Sequence, residues 1–147
     1  LYGARALMSL RLEKNWGAWT LDFRPDFTAA ESGLDSFINW NKDFIGKEAS
    51  LIEKKQGVKK KLVTMTIDTK DIDVTNDEAI LKDNKCVGYI TSGGYAHYVK
   101  KSMALGYVPE ELSKHETTLD VEINGKLYSA HVTDKPLYDA NGEKMRV

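Results

Sequence analysis

Arg11, Glu13, Trp16 and Trp19 are the residues whose types and spacing best suit holding a ligand: a charge-bearing fork, a carboxylate and two indoles within nine positions. On a helix, Leu7 and Leu10 are three apart and Met8 and Leu12 four apart, which makes one apolar stripe with Arg11 on its edge, four after Leu7. A guanidinium there needs a partner. Glu13 is only two residues on and cannot face Arg11 from the same helix, so each reaches another group, either elsewhere in the fold or on a bound molecule. The plainer alternative is a snorkelling Arg11 and a solvated Glu13. A further candidate is His97, because Gly93-Gly94-Tyr95-Ala96-His97-Tyr98 puts an imidazole and two phenols on a stretch whose glycines permit close approach to a ligand.

Other chemistry lacks its residues. His97, His115 and His131 have no Cys, Asp or Glu at metal-ligand spacing, and an EF-hand reading of the aspartate-rich run 68–77 fails for want of its glycine. Gly93-Gly94 matches neither a dinucleotide fingerprint nor a P-loop, and no serine sits in a Gly-x-Ser-x-Gly elbow. No residue is assigned a catalytic role and no metal is expected. Cys86, alone in 147 residues, excludes an internal disulfide; in a strand-like run it reads as a small buried hydrophobe. That usage suits a reducing compartment, the cytoplasm or a mitochondrial matrix.

With 41% hydrophobic and 29% charged residues and a formal net charge of -1, the chain reads as globular, with no electrostatic case for nucleic acid or an acidic membrane. Its length allows one ordinary domain or the end of a larger one, and a start at Leu1-Tyr2-Gly3-Ala4 suggests a piece of something longer.

The elements that must position the candidates fall into two parts. A helix is predicted over residues 4–14, then an aromatic extended segment through Phe23, broken at Arg24-Pro25. Thr28-Ala29-Ala30-Glu31 has capping-box spacing, which predicts a short helix to Gly33, then an extended stretch from Leu34 to Trp40. A second helix, with Leu51 and Ile52 as its apolar contacts, ends at Gly57. From Val58 the period changes to two. Lys61 to Ile67, Ala79 to Lys82, Cys86 to Thr91, Met103 to Val108, Leu119 to Ile123 and Lys126 to Val132 read as strands, with a solvated loop over 68–77 and turns at Asp83-Asn84-Lys85, Ser92-Gly93-Gly94 and Asn124-Gly125. The expected class is α+β: short helices and extended segments, residues 1–57, followed by a small antiparallel β-barrel, residues 58–147.

Six segments occur in an order that resembles the C-terminal half of the glycine-cleavage T-protein (aminomethyltransferase) family. They are Ser9-Leu10-Arg11-Leu12-Glu13-Lys14, Thr28 to Leu34, Lys42 to Ala49, Gly88 to Gly94, Ala104-Leu105-Gly106-Tyr107-Val108 and Pro136-Leu137-Tyr138-Asp139. Gly94-Tyr95-Ala96-His97 and Trp16-Gly17-Ala18-Trp19 resemble more closely the folate-binding tail of dimethylglycine and sarcosine dehydrogenases.

The resemblance implies a C-terminal fragment of a tetrahydrofolate-dependent one-carbon enzyme. Residues 1–57 would be the remnant of its folate-binding domain, and residues 58–147 its barrel. The parent would carry FAD upstream, oxidise an N-methyl amine and pass the carbon to tetrahydrofolate; the alternatives are an aminomethyltransferase and a non-catalytic relative. By position, Trp16 falls on the family's ligand-packing aromatic and Trp19 on the Tyr of its Leu-Tyr-Gly element. Leu7 stands where the family has a basic folate contact, so Arg5 or Arg11 would have to supply that charge. Trp16, Arg11, Glu13, Trp19 and His97 are therefore the expected cofactor-binding residues. The fragment alone is expected to be inactive, with self-association possible through its truncated apolar face.

Overall fold

The computed structural model describes residues 1–146. Six strands, β1 (Lys60–Ile67), β2 (Ala79–Lys82), β3 (Lys85–Ala96), β4 (Lys101–Pro109), β5 (Thr118–Ile123) and β6 (Lys126–Thr133), form a closed antiparallel barrel in the order β1-β4-β3-β2-β5-β6, with β6 returning to β1. Closure gives every strand a paired neighbour on each side. Two helices precede it, α1 (Ala4–Glu13) and α2 (Lys47–Gln56), with a 3-10 turn at Asp35–Phe37 between them. This is the α+β arrangement expected from the period change.

The strands follow their alternation. Val63, Met65 and Ile67 of β1 point inward to meet Ile80, Ile90 and Val121 in the barrel core. Asn124 and Gly125, at φ 49° and 75°, make the tight turn between β5 and β6, and Asp83 and Asn84, at φ 51° and 61°, do the same between β2 and β3.

Strand β4 is buried on both faces, and that is what seats the site. Ala104 and Val108 belong to the barrel core, whereas Met103 and Leu105 face outward and pack with Leu12 of α1. Leu12 is 1% exposed, and burying such a side chain contributes about 1.5–3 kcal/mol. The helix is thus held on the outer wall of β3 and β4 by its C-terminal turn, where Arg11, Leu12 and Glu13 are its buried residues.

Several local expectations are overturned. The Thr28–Glu31 capping box forms in both directions, Thr28 N–H to Glu31 Oε2 and Glu31 N–H to Thr28 Oγ1, each 3.1 Å, but it closes hydrogen-bonded turns rather than a helix. Gly33, at φ 71°, reverses the chain, and the 3-10 turn replaces the extended stretch. Ser92-Gly93-Gly94 is not a turn: β3 runs through it, because Gly93 lets Val74 pack where a Cβ would stand only 2.6 Å from Val74 Cγ1. Val74 is fully buried, so the loop after β1 is partly inserted rather than wholly solvated. Cys86 is exposed beside the β2–β3 turn, not a buried hydrophobe. Leu7, Leu10, Leu51 and Ile52 are about half exposed, and α2 has no buried residue.

Candidate functional site

The predicted helix residues turn inward, and the predicted tryptophans turn outward. Both Arg11, 7% exposed, and Glu13, 1% exposed, have their partners inside the protein, which excludes the snorkelling and solvated alternatives. Arg11 Nη1 donates to Asp22 Oδ2 at 2.9 Å and to the Trp16 carbonyl at 3.1 Å. Glu13 Oε1 accepts the backbone N–H groups of Tyr98, 2.7 Å, and Val99, 3.3 Å. They fix the end of α1, from which the aromatic segment departs.

Asp22, fully buried, is the residue that pattern reading missed. Its Oδ2 also accepts the Ala18 N–H at 2.7 Å, and its Oδ1 accepts Ser92 Oγ at 2.7 Å and Thr91 Oγ1. The signal in the sequence is a carboxylate between Leu21 and Phe23 in an apolar run, eleven residues after an arginine that needs a partner. Tyr107 O–H donates to the Asp22 carbonyl at 3.0 Å and lies 2.8 Å from Ser32 Oγ, so the aromatic loop is tied to β4 as well as β3. Phe27 stacks on the Tyr107 ring at 3.5 Å between centroids.

Burial pushes the Tyr107 phenol up to about 12; the Ser32 hydrogen bond works against this, and the Asp22 carboxylate adds to it. Below the ordinary value of 10.0 the phenol is neutral folded and unfolded, so it makes no pH-dependent contribution. Between pH 10 and about 12 only the unfolded chain ionises, and stability falls as pH rises. Tyr107→Phe is expected to remove that part of the alkaline loss, read as the denaturant midpoint against pH; an unchanged slope would contradict it.

Trp16 is 52% exposed and Trp19 is 79% exposed. Trp16 meets Phe23 and Phe37 edge to face, with centroids 6.5 and 5.9 Å apart, and Trp19 meets Phe23 at 5.8 Å. Edge contacts of this kind steady the rings and leave indole surface free. Trp19, Phe23, Pro25, Phe27 and Leu34 wall a recess of about 480 Å³, with Arg24 at its lining.

His97 lies apart from these indoles, on the exposed turn after β3, where it touches Tyr95 edge to face at 5.1 Å. It lines a second cleft, about 340 Å³, between α1 and β3 with Arg5, Ser9, Asp73, Thr75 and Tyr95. The five predicted residues therefore divide three ways: Arg11 and Glu13 as internal anchors, Trp16 and Trp19 on one aromatic face, His97 at another cleft.

The last motif closes the back of the site. Tyr138 N–H donates to the Glu13 carbonyl at 3.2 Å, and Lys14 Nζ meets the Asp139 carbonyl at 2.6 Å and its carboxylate at 3.5 Å. Burial works to raise the Asp139 pKa, but the Lys144 and Glu143 N–H groups and the Lys14 charge outweigh it and hold the carboxyl below its ordinary value. Among the described residues, no cluster of three His, Cys, Asp or Glu is placed to hold a metal, and no helix is long and apolar enough to cross a membrane.

Human mitochondrial dimethylglycine dehydrogenase is 41% identical over 138 residues, 92% of this chain but 16% of that protein. An aminomethyltransferase of Desulfitobacterium hafniense is 36% identical over 141 residues, 95% of this chain and 38% of the other. The crystal structure of the glycine cleavage system aminomethyltransferase T from Bartonella henselae superposes with a TM-score of 0.83 at 26% identity, over 92% of this chain and 38% of that one. The chain thus spans well under half the length of these relatives. Residues 60–139, more than half of the chain and the whole of the barrel, match the model of the glycine cleavage T-protein C-terminal barrel domain, and the chain belongs to that family.

Proposed function

We propose that this chain supplies one wall of a tetrahydrofolate site in a one-carbon enzyme, and that Trp16 and Trp19 stack on the flat parts of the folate. The observation that carries the reading is the exposed aromatic face itself: two indoles steadied by Phe23 and Phe37 but left open beside a buried ionic anchor. Uncovered indole surface of this kind is suited to stacking on a heterocycle. In this reading residues 1–57 are the end of the folate-binding part, residues 58–147 are the barrel that braces it, and the rest of the site lies on residues outside this chain.

The parent reaction we favour is that of a flavin-linked dehydrogenase, which oxidises an N-methyl amine and hands the carbon to tetrahydrofolate. The 41% identity to dimethylglycine dehydrogenase, against 36% for the aminomethyltransferase, supports it. The aminomethyltransferase reading is the second, supported by the TM-score of 0.83 to the Bartonella henselae protein. In this reading FAD would sit in another domain of the parent, where it would supply removal of a hydride from the amine. Amine-dependent bleaching of a bound flavin in the intact protein separates the two parents.

Replacing Trp16 by alanine is expected to weaken tetrahydrofolate binding by the equivalent of about 1–3 kcal/mol, the cost of losing one aromatic platform under a heterocycle. Fluorescence titration of the intact protein checks it; unchanged affinity in a folded variant would make Trp16 a packing residue only.

A further inference from the structure

We propose that Asp22 is a positioning residue, whose buried carboxylate holds the Trp16–Trp19 loop against the barrel wall in the geometry that presents both indoles. The consequence for ligand binding rests on the folate reading above; the positioning itself does not. Residues 14–34 contain no helix or strand, only the isolated bridge between Trp19 and Phe23; backbone bonds such as Asp22 N–H and Phe23 N–H to the Ala18 carbonyl close the turns, but none ties residues 16–23 to the barrel. Asn15 and Thr20 lie at φ 52° and 70°, conformations a free chain of these residues seldom keeps. The bonds that join this loop to α1 and to the barrel wall converge on one side chain.

Oδ2 of Asp22 takes the Ala18 N–H, between the two tryptophans, and the Arg11 guanidinium, whose Nη1 also grips the Trp16 carbonyl. Oδ1 takes the Thr91 and Ser92 hydroxyls of β3, and the Asp22 carbonyl takes the Tyr107 phenol of β4. One oxygen therefore faces the loop and helix, the other faces the barrel. An ionised carboxylate accepts on both sides, whereas an amide of the same shape offers one acceptor and one donor. Gly17 completes the fit, since a Cβ there would stand 2.5 Å from the Phe23 ring that supports both indoles.

Asp22→Asn tests the idea, because its NH₂ can face the two hydroxyls, which rotate to accept, while the charge that pairs with Arg11 is removed. In a Trp40→Phe background Trp16 and Trp19 are the two tryptophans of these 147 residues, and selective labelling of both separates their signal from any others in the intact protein. Three readings are taken: acrylamide quenching of those indoles, amide exchange across residues 60–133, and titration of the intact protein with 5-formyltetrahydrofolate. The expected result is at least a twofold rise in quenching and at least a tenfold loss of affinity, with barrel exchange unchanged. Thr91→Val with Ser92→Ala, which keeps the Arg11–Asp22 pair but cuts the loop from β3, is expected to shift both readings the same way and carries the test if Asp22→Asn does not fold. Unchanged quenching in a folded variant overturns the proposal. No binding of the probe by the unmodified intact protein overturns the folate reading, while the quenching still decides the positioning.

Discussion

Arg11→Ala is expected to loosen the α1 end and the aromatic loop by about 3–5 kcal/mol, the usual cost of removing one partner from a buried ion pair. The reason lies less in the attraction lost than in what remains. Asp22, fully buried, would keep three hydrogen bonds but no opposing charge, and the only ready way to hydrate it is to lift residues 11–23 off the barrel. The effect should therefore be local. Amide exchange in residues 11–23 is expected to accelerate roughly a hundredfold or more, as each 1.4 kcal/mol is a factor of ten. Strands β1 and β6, which give this pair no hydrogen bond, should be unaffected, and uniform acceleration through the barrel would contradict local opening.

Gly88→Ala is expected to have the other large effect, and here the barrel is the victim. A Cβ on Gly88 would land on the Tyr107 carbonyl oxygen, far inside van der Waals contact, with the Tyr107 carbonyl carbon at 3.0 Å and Val108 Cα at 3.5 Å. These are backbone atoms, so no side chain can swing away. Strand β3 would have to part from β4, the strand that carries both the barrel core and the floor of the site. Overpacking that a core can absorb costs about 1–3 kcal/mol, and a backbone clash belongs at or beyond the top of that range. Urea unfolding followed by circular dichroism checks it. Gly125→Ala, where no atom lies within 4 Å but φ is 75°, is the milder control.

The contrast between the two variants reflects what could be read from the residues alone. The barrel was legible because strand alternation and Asn124-Gly125 are local signals: each inward residue is apolar for its own reason, and the turn needs only its own two positions. The six family segments gave the same answer from another direction. The anchor was not legible. Arg11 announces a need for a partner, but Asp22 is eleven residues away around a loop with no period, and Thr91 and Ser92 look like ordinary strand hydroxyls until the barrel brings them under it. Ser92-Gly93-Gly94 misled in the opposite way. Its glycines suit a turn, yet the strand runs on and Gly93 makes room there for Val74. Cys86 read as buried from its neighbours, although its outward position is set by the bulge opposite Ile80 and Leu81.

The exposed indoles carry the functional argument, so the most direct measurement is where bound tetrahydrofolate sits. Proton NOEs from the ligand's ring protons in the intact protein, with Trp16 and Trp19 selectively labelled, report contact within a few ångströms. The prediction is cross-peaks from the folate rings to the Trp16 indole and to Trp19 or Phe23, lost in Trp16→Ala. Saturated binding with no cross-peak to either tryptophan would contradict the assignment of this face as the folate wall.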